Sequence, residues 1–255
     1  MNVSTRRRRV VMTLDCAEVN SAELVRLSQL AQHLDAELEA VFIEDLDVLR
    51  AADLPFVREF RFGSLQLERF DQERLATELR AAARRAEASL ARHAALRLVP
   101  WHFRVWRGSL DQELLTVLEA DVLAVNRPRP LAGAAAWHGH QGAVAVCYDA
   151  DERGGRALAA AAALALAAQA RLTVLLPGDG RSFDELKRQV ENAMPRPAPP
   201  VDIVPLGQGR PSAMAGALRQ AGCGALVVSR TGAVLRISSL RELSAALGCT
   251  IIVVN

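Results

Sequence analysis

The chain has 255 residues, of which 51% are apolar and 24% charged, and its formal net charge is +2. That composition fits a globular chain with room for one large or two small domains. So small a charge gives no electrostatic footprint for nucleic acid. The longest apolar run, ALAAAAALALAAQA at 157–170, falls short of the roughly 20 residues a spanning helix needs, so no membrane span is expected. It suits instead a helix buried between a sheet and a neighbour. The opening MNVSTRRRRVVM lacks the apolar core of an export signal. Cys16, Cys147, Cys223 and Cys249 form no C-x-x-C pair. A cytoplasmic chain with reduced thiols is the expectation.

In chain order, RVVMTLD predicts a strand ending at Asp15. Asn20-Ser21 with Glu23 opens a helix whose stripe is Leu24, Leu27, Ala31 and Leu34. LEAVFI (38–43) reads as a second strand, followed by short helix and loop to about Arg69. A long helix fills roughly 71–94, WHFRVW (101–106) alternates as a strand, Ser109 with Gln112 caps a helix, and DVLAVN (121–126) is a strand. RPRPLAGAAAWHGHQG (127–142) has no sustained period and reads as linker.

The same order then recurs. AVAVCYD (143–149) is a strand, the Ala-rich helix follows, and LTVLLP (172–177) is a strand. Ser182 with Glu185 starts a helix that PRPAPP (195–200) breaks. VDIVPL, PSAMAGALRQAG, ALVVS, VLRISSLRELSAALG and CTIIVVN then read as strand, helix, strand, helix and strand. Strands alternating with helices predict parallel sheets with right-handed crossovers. RGSLDQELLTVLEADVLAVNR (107–127) parallels QGRPSAMAGALRQAGCGALVVSR (208–230), which points to duplication. The expected units are 1–130, a linker at 131–142, and 143–255.

These residues resemble the universal stress protein family in tandem form. Asp15 and Asp149 end the first strand of each half, where that family often has Asp. Gly209-Arg210-Pro211 looks like its Gly-x-Pro turn, Gly108 keeps only the glycine, and CTIIVV resembles its ending with Thr250 in place of proline. The resemblance implies two doubly wound parallel-sheet domains, similar to adenine-nucleotide alpha hydrolases, joined as a pseudo-dimer. Only the second half has a clear final strand. An asymmetric pair, or strand exchange with a second chain, is therefore expected, since a bare edge invites pairing.

Family members that bind ATP carry Gly-x-x-Gly, nine residues, then Gly followed by Ser or Thr. Glycines let backbone N–H groups approach phosphate, and a helix N-terminus adds positive potential. Here Ser229 stands at the first Gly position, followed by Arg230, Thr231 and Gly232. Only five residues separate Gly232 from Ser238-Ser239, with Arg236 nearby, and Ile237 stands where the last Gly belongs. A β-branched residue does not readily take positive φ. In the first half the corresponding strand runs into Asn126-Arg127-Pro128-Arg129-Pro130, where proline removes amide donors. The preferred reading is a plain strand-to-helix turn, with a weak anion site at Arg230 and Arg236 or a nucleotide cradle as alternatives. For Asp149, ligand contact and helix capping weigh equally; for Asp15, capping is preferred.

Other clusters are read as structural. Glu44, Asp45 and Asp47 read as a solvated acidic loop. Leu49, Leu54, Pro55, Phe56, Val57, Phe60 and Phe62 form an apolar insertion that covers the core or offers a partner surface, cover being preferred. Trp137-His138-Gly139-His140 reads as linker and Arg6–Arg9 as a solvated terminus. Cys223, in Gly222-Cys223-Gly224, reads as a tight turn. No metal site, catalytic triad, Walker lysine or G-x-G-x-x-G fingerprint is found. The functional expectation is a regulatory or adaptor module without enzymatic activity. It would bind a protein partner or itself, with a homodimer as one form, and need no cofactor. The alternative is an adenine-nucleotide sensor or slow ATPase, taking ATP or AMP at 229–239; a flavoprotein-like relative is a third reading.

Overall fold

The computed structural model describes residues 8–14, 21–52, 54, 56–61, 66–69, 71–108, 120–125, 142–177, 181–206, 211–232, 234–235, 240, 243, 247 and 249–255. In chain order these form β1 (Arg8–Leu14), α1 (Ser21–His33), β2 (Ala36–Glu44), α2 (Leu46–Ala52), β3 (Arg58–Arg61), β4 (Gln66–Arg69), α3 (Gln72–Ala95), β5 (Trp101–Arg107) and β6 (Val122–Val125). Then follow β7 (Ala143–Cys147), α4 (Glu152–Ala167), β8 (Leu172–Leu176), α5 (Arg181–Ala193), β9 (Val201–Pro205), α6 (Pro211–Gln220), β10 (Cys223–Ser229) and β11 (Thr250–Val254). The helix expected from Ser109 lies outside the described residues. Of the helix expected over 234–248, Val234, Leu235, Leu240, Leu243 and Leu247 are described, and all are helical.

One nine-stranded sheet organises the molecule, in the order β5-β2-β1-β6-β11-β10-β7-β8-β9. Every neighbouring pair runs parallel except β6 with β11. Read inward from either edge, the order is the same: β5-β2-β1-β6 and β9-β8-β7-β10. β11 lies between the two sets, parallel to β10 through Leu226↔Ile251 and antiparallel to β6 through Val125↔Ile251. The edge of β6 that a missing final strand would leave bare is thus paired within the chain.

Strands buried on both faces read as unbroken apolar runs, and β7 and β8, AVAVC and LTVLL, are wholly buried. Alternate side chains supply two cores. On one face Val10, Met12, Leu38, Phe42, Val146 and Val174 meet Leu24 and Leu27 of α1, Leu90 of α3 and Leu158 and Leu164 of α4. On the other, Val11, Val41, Leu123, Leu226 and Val253 meet Met214 and Leu218 of α6 and the leucines of the last helix. Each fully buried leucine contributes about 1.5–3 kcal/mol relative to exposure. α4 packs at once on β7, β10, β11 and α1. Its alanines at 157, 160, 161 and 162, all buried, allow that close approach.

Several local expectations change. Residues 58–69 contain an antiparallel hairpin, β3 with β4, not a plain loop. Within the insertion Leu49 packs against the core, whereas Leu54 and Phe56 face solvent, Phe56 with 75% of its surface exposed. Core cover therefore holds for Leu49 and fails for those two. Glu44 is no solvated loop residue: it ends β2, is buried, and accepts a hydrogen bond from Arg107 Nε at 2.7 Å. Arg9 is no frayed terminus either, because β1 carries it beside β2, where its Nη2 donates to Glu39 Oε2 at 2.7 Å. Cys223 opens β10, and the turn before it is made by Gly222 at φ +61. Ser182 is the second residue of α5, inside the first turn, since the helix starts at Arg181.

Candidate functional site

β7 and β10 are neighbours, so their carboxyl ends bring Asp149 and the Ser229–Gly232 turn together. In open parallel sheets this edge is where ligands bind. After β7 the chain turns sharply: Asp151 N–H donates to Asp149 C=O at 2.8 Å. Asp151 then caps α4, its Oδ1 accepting from Gly154 N–H at 2.6 Å. The cap considered for Asp149 thus belongs to Asp151. The backbone of Asp149 lies directly over Gly154, where a Cβ would stand 2.7 Å from the Asp149 carbonyl carbon and 2.9 Å from its nitrogen. Glycine is required here by close approach.

Across the gap, Arg230 N–H donates to Val254 C=O at 2.8 Å and Gly232 N–H to Ser229 C=O at 3.0 Å. Two amides that a phosphate cradle would aim at its ligand are already bonded within the fold. The Thr231 hydroxyl accepts from Arg153 Nη1 at 2.7 Å, tying the turn to the start of α4. The Asp149 carboxylate rests against Gly232: a Cβ there would collide with Oδ2 and come within 3.1 Å of Ser229 C=O. Ser229 is 1% exposed, and its hydroxyl has no hydrogen-bond partner among the described residues. Below it on the same edge, burial pushes the Cys147 thiol up to about 12, with the charge of Asp149 and the neighbouring Cys249 adding to the shift. It stays a neutral, inert thiol.

Of the residues named from the sequence, the fold brings Asp149, Ser229, Arg230, Thr231 and Gly232 together. Asp15, Gly209, Ser238 and Ser239 lie outside the described residues. Gly108 directly follows β5, at the far edge of the sheet from β7. Its lack of a side chain answers to Trp106, whose indole Nε1 would stand 2.6 Å from a Cβ. Gly154, Asp151 and Arg153 went unread in the sequence; the run DADERGGR held the signal, a capping aspartate followed by paired glycines. No group of three or more metal-ligating side chains occurs among the described residues. No described helix is long and apolar enough to cross a membrane.

The sheet, its helical layers and a turn of this kind at the carboxyl edge define a doubly wound α/β protein. No family model matches the chain, and no curated protein does. Among solved structures it is similar to a universal stress protein from Archaeoglobus fulgidus DSM 4304, at 11% identity over 96% of both chains and a TM-score of 0.48. A universal stress protein in complex with cAMP matches 46% of this chain and 99% of its own, at 14% identity and a TM-score of 0.36. The cytoplasmic domain of a prokaryotic cation chloride cotransporter matches over 97% and 95%, at 10% identity and a TM-score of 0.42.

Proposed function

We propose that the chain is a regulatory module of universal-stress type, without enzymatic activity, whose nucleotide cradle is closed by its own groups. One observation carries this reading. The Arg230 and Gly232 amides are bonded to Val254 and Ser229, while the Asp149 carboxylate occupies the mouth against Gly232. An incoming phosphate would find these two amides already bonded and a carboxylate at the mouth. Burying an anion there without partners is unfavourable by several kcal/mol.

Calorimetry with ATP, ADP and AMP, with and without magnesium, tests the reading. The wild-type chain should bind none of them more tightly than about 1 mM. Asp149→Asn removes the resident charge and should raise affinity for all three. Micromolar binding by the wild type, lost in Asp149→Asn and Gly232→Val, would overturn the proposal. That result would favour the second reading, an adenine-nucleotide sensor. The feature on its side is the buried, unpartnered Ser229 hydroxyl at the start of the turn, which a ligand oxygen could satisfy.

A further inference from the structure

The sheet ends in two edge strands, β5 and β9, and they are defended differently. In a parallel ladder alternate residues turn their backbone groups to the neighbour and the rest turn them outward. At β9, Pro200 C=O accepts from Leu172 and Leu206 N–H donates to Leu176, so 201, 203 and 205 face outward. Residue 205 is proline, which leaves two outward donors on a five-residue strand. At β5, Pro100 C=O accepts from Leu38 and Gly108 N–H donates to Glu44. Trp101, Phe103, Val105 and Arg107 therefore point their N–H and C=O groups outward. This strand has seven residues, no proline and no bulge. Among the described residues no strand pairs with its outer side.

The charges on this flank alternate from strand to strand. On β1, Arg9 reaches Glu39 of β2 at 2.7 Å; from the other side Arg104 of β5 reaches the same carboxylate at 2.6 Å. His102 lies 3.7 Å from Glu37, and Arg107 lies 2.7 Å from Glu44. The series reads base, acid, base, and ends on the outermost strand with base. All three ionisable residues of β5 are basic, and Val105, on the pleat opposite His102 and Arg104, is 46% exposed.

We propose that the outer edge of β5 docks an extended peptide of alternating acidic and apolar residues, taken up as an added strand. Main-chain bonds to residues 101, 103, 105 and 107 supply affinity, as in other strand-addition complexes. Carboxylates beside His102 and Arg104 continue the charge alternation, and apolar side chains cover Phe103 and Val105. A second copy of the chain would set its own basic strand against this one, and like charges directly opposed are unfavourable.

The test uses the full chain and a blocked nine-residue peptide of alternating Glu and Val, with its Lys and Val counterpart as control. Two of the three tryptophans, Trp101 and Trp106, lie on β5, so their emission reports binding. The Glu peptide should bind saturably and slow amide exchange at residues 101, 103, 105 and 107 by about tenfold or more, the Lys peptide binding at least about tenfold more weakly. Val105→Pro removes an outward N–H that the ladder does not use; it should keep the melting temperature and lose binding. The exchange map on the unaltered chain decides the matter should that variant misfold. Protection absent from β5 or appearing at β9, equal binding of both peptides, or undiminished binding by a folded Val105→Pro would each refute the proposal. So would a concentration-dependent dimer that protects the same amides without peptide.

Discussion

Gly154 and Gly155 stand side by side in the first turn of α4 and should answer oppositely to alanine. Both substitutions gain about 1 kcal/mol of helix propensity. At Gly155 a Cβ meets nothing within 4 Å, so Gly155→Ala should stabilise the fold by about that amount. At Gly154 the Cβ runs into the Asp149 carbonyl, with the carbonyl carbon at 2.7 Å and the nitrogen at 2.9 Å, all of it backbone. Relief requires α4 to draw away from the end of β7. Overpacking of this kind costs about 1–3 kcal/mol. The Asp151 cap at Gly154 N–H moves with it, and a lost cap costs about 1 kcal/mol. The two variants should therefore differ by about 3 kcal/mol, which in a chain of this size is roughly 6–12 °C in melting temperature. Thermal unfolding followed by circular dichroism measures it. If Gly154→Ala melts at or above Gly155→Ala, the close packing of Asp149 on α4 is wrong, and so is the placement of its carboxylate.

Arg153→Ala breaks an exposed hydrogen bond and should change stability by no more than about 0.5 kcal/mol, while amide exchange at Thr231 and Gly232 quickens. Thr250→Val removes a donor that reaches the buried Glu23 carboxylate at 2.8 Å, at a cost of about 1–3 kcal/mol in urea unfolding. Thr250→Ser should restore most of it. Cys147 and Cys223, raised to about 12 and about 11 chiefly by burial, should resist a thiol reagent at pH 8 in the native chain and react once it is unfolded. Because both folded values lie above that of a free thiol, their contribution is complete below about pH 8.5. It is lost as pH climbs through 11 and 12, so the thiols' share of the denaturant midpoint should fall on the alkaline side.

The sheet was legible because its strands are continuous apolar runs and its helices keep a 3.6-residue stripe. AVAVC, LTVLL and TIIVV need no tertiary information to be read. The hairpin at 58–69 escaped because REFR and QLER each set a single apolar residue among polar and charged ones, leaving only Gly63-Ser64 as a turn signal. Choosing Asp151 over Asp149 as the cap depends on where α4 begins, which periodicity fixes only to a residue or two. The pairing of Arg9 with Glu39, and of Glu39 with Arg104, joins residues far apart in the chain and follows from register alone. At the candidate site, the meeting of Asp149 with the 229–232 turn could be read from both lying at strand ends. That the turn's amides bond inward to Val254 and Ser229 could not, since it depends on β11 standing beside β10.

Every other strand of the sheet precedes β11 in the chain, yet β11 is the seam. During translation both strand sets can leave the ribosome with their inner borders, β6 and β10, still unjoined. Closure waits on five residues that must find Val122–Val125, more than a hundred positions upstream. Loop closure over such a distance is slow, so the β6 border stays open while all of Ala143–Ser229 is made, and the β10 border joins it only near the end. That interval is when a holding chaperone would have most to do.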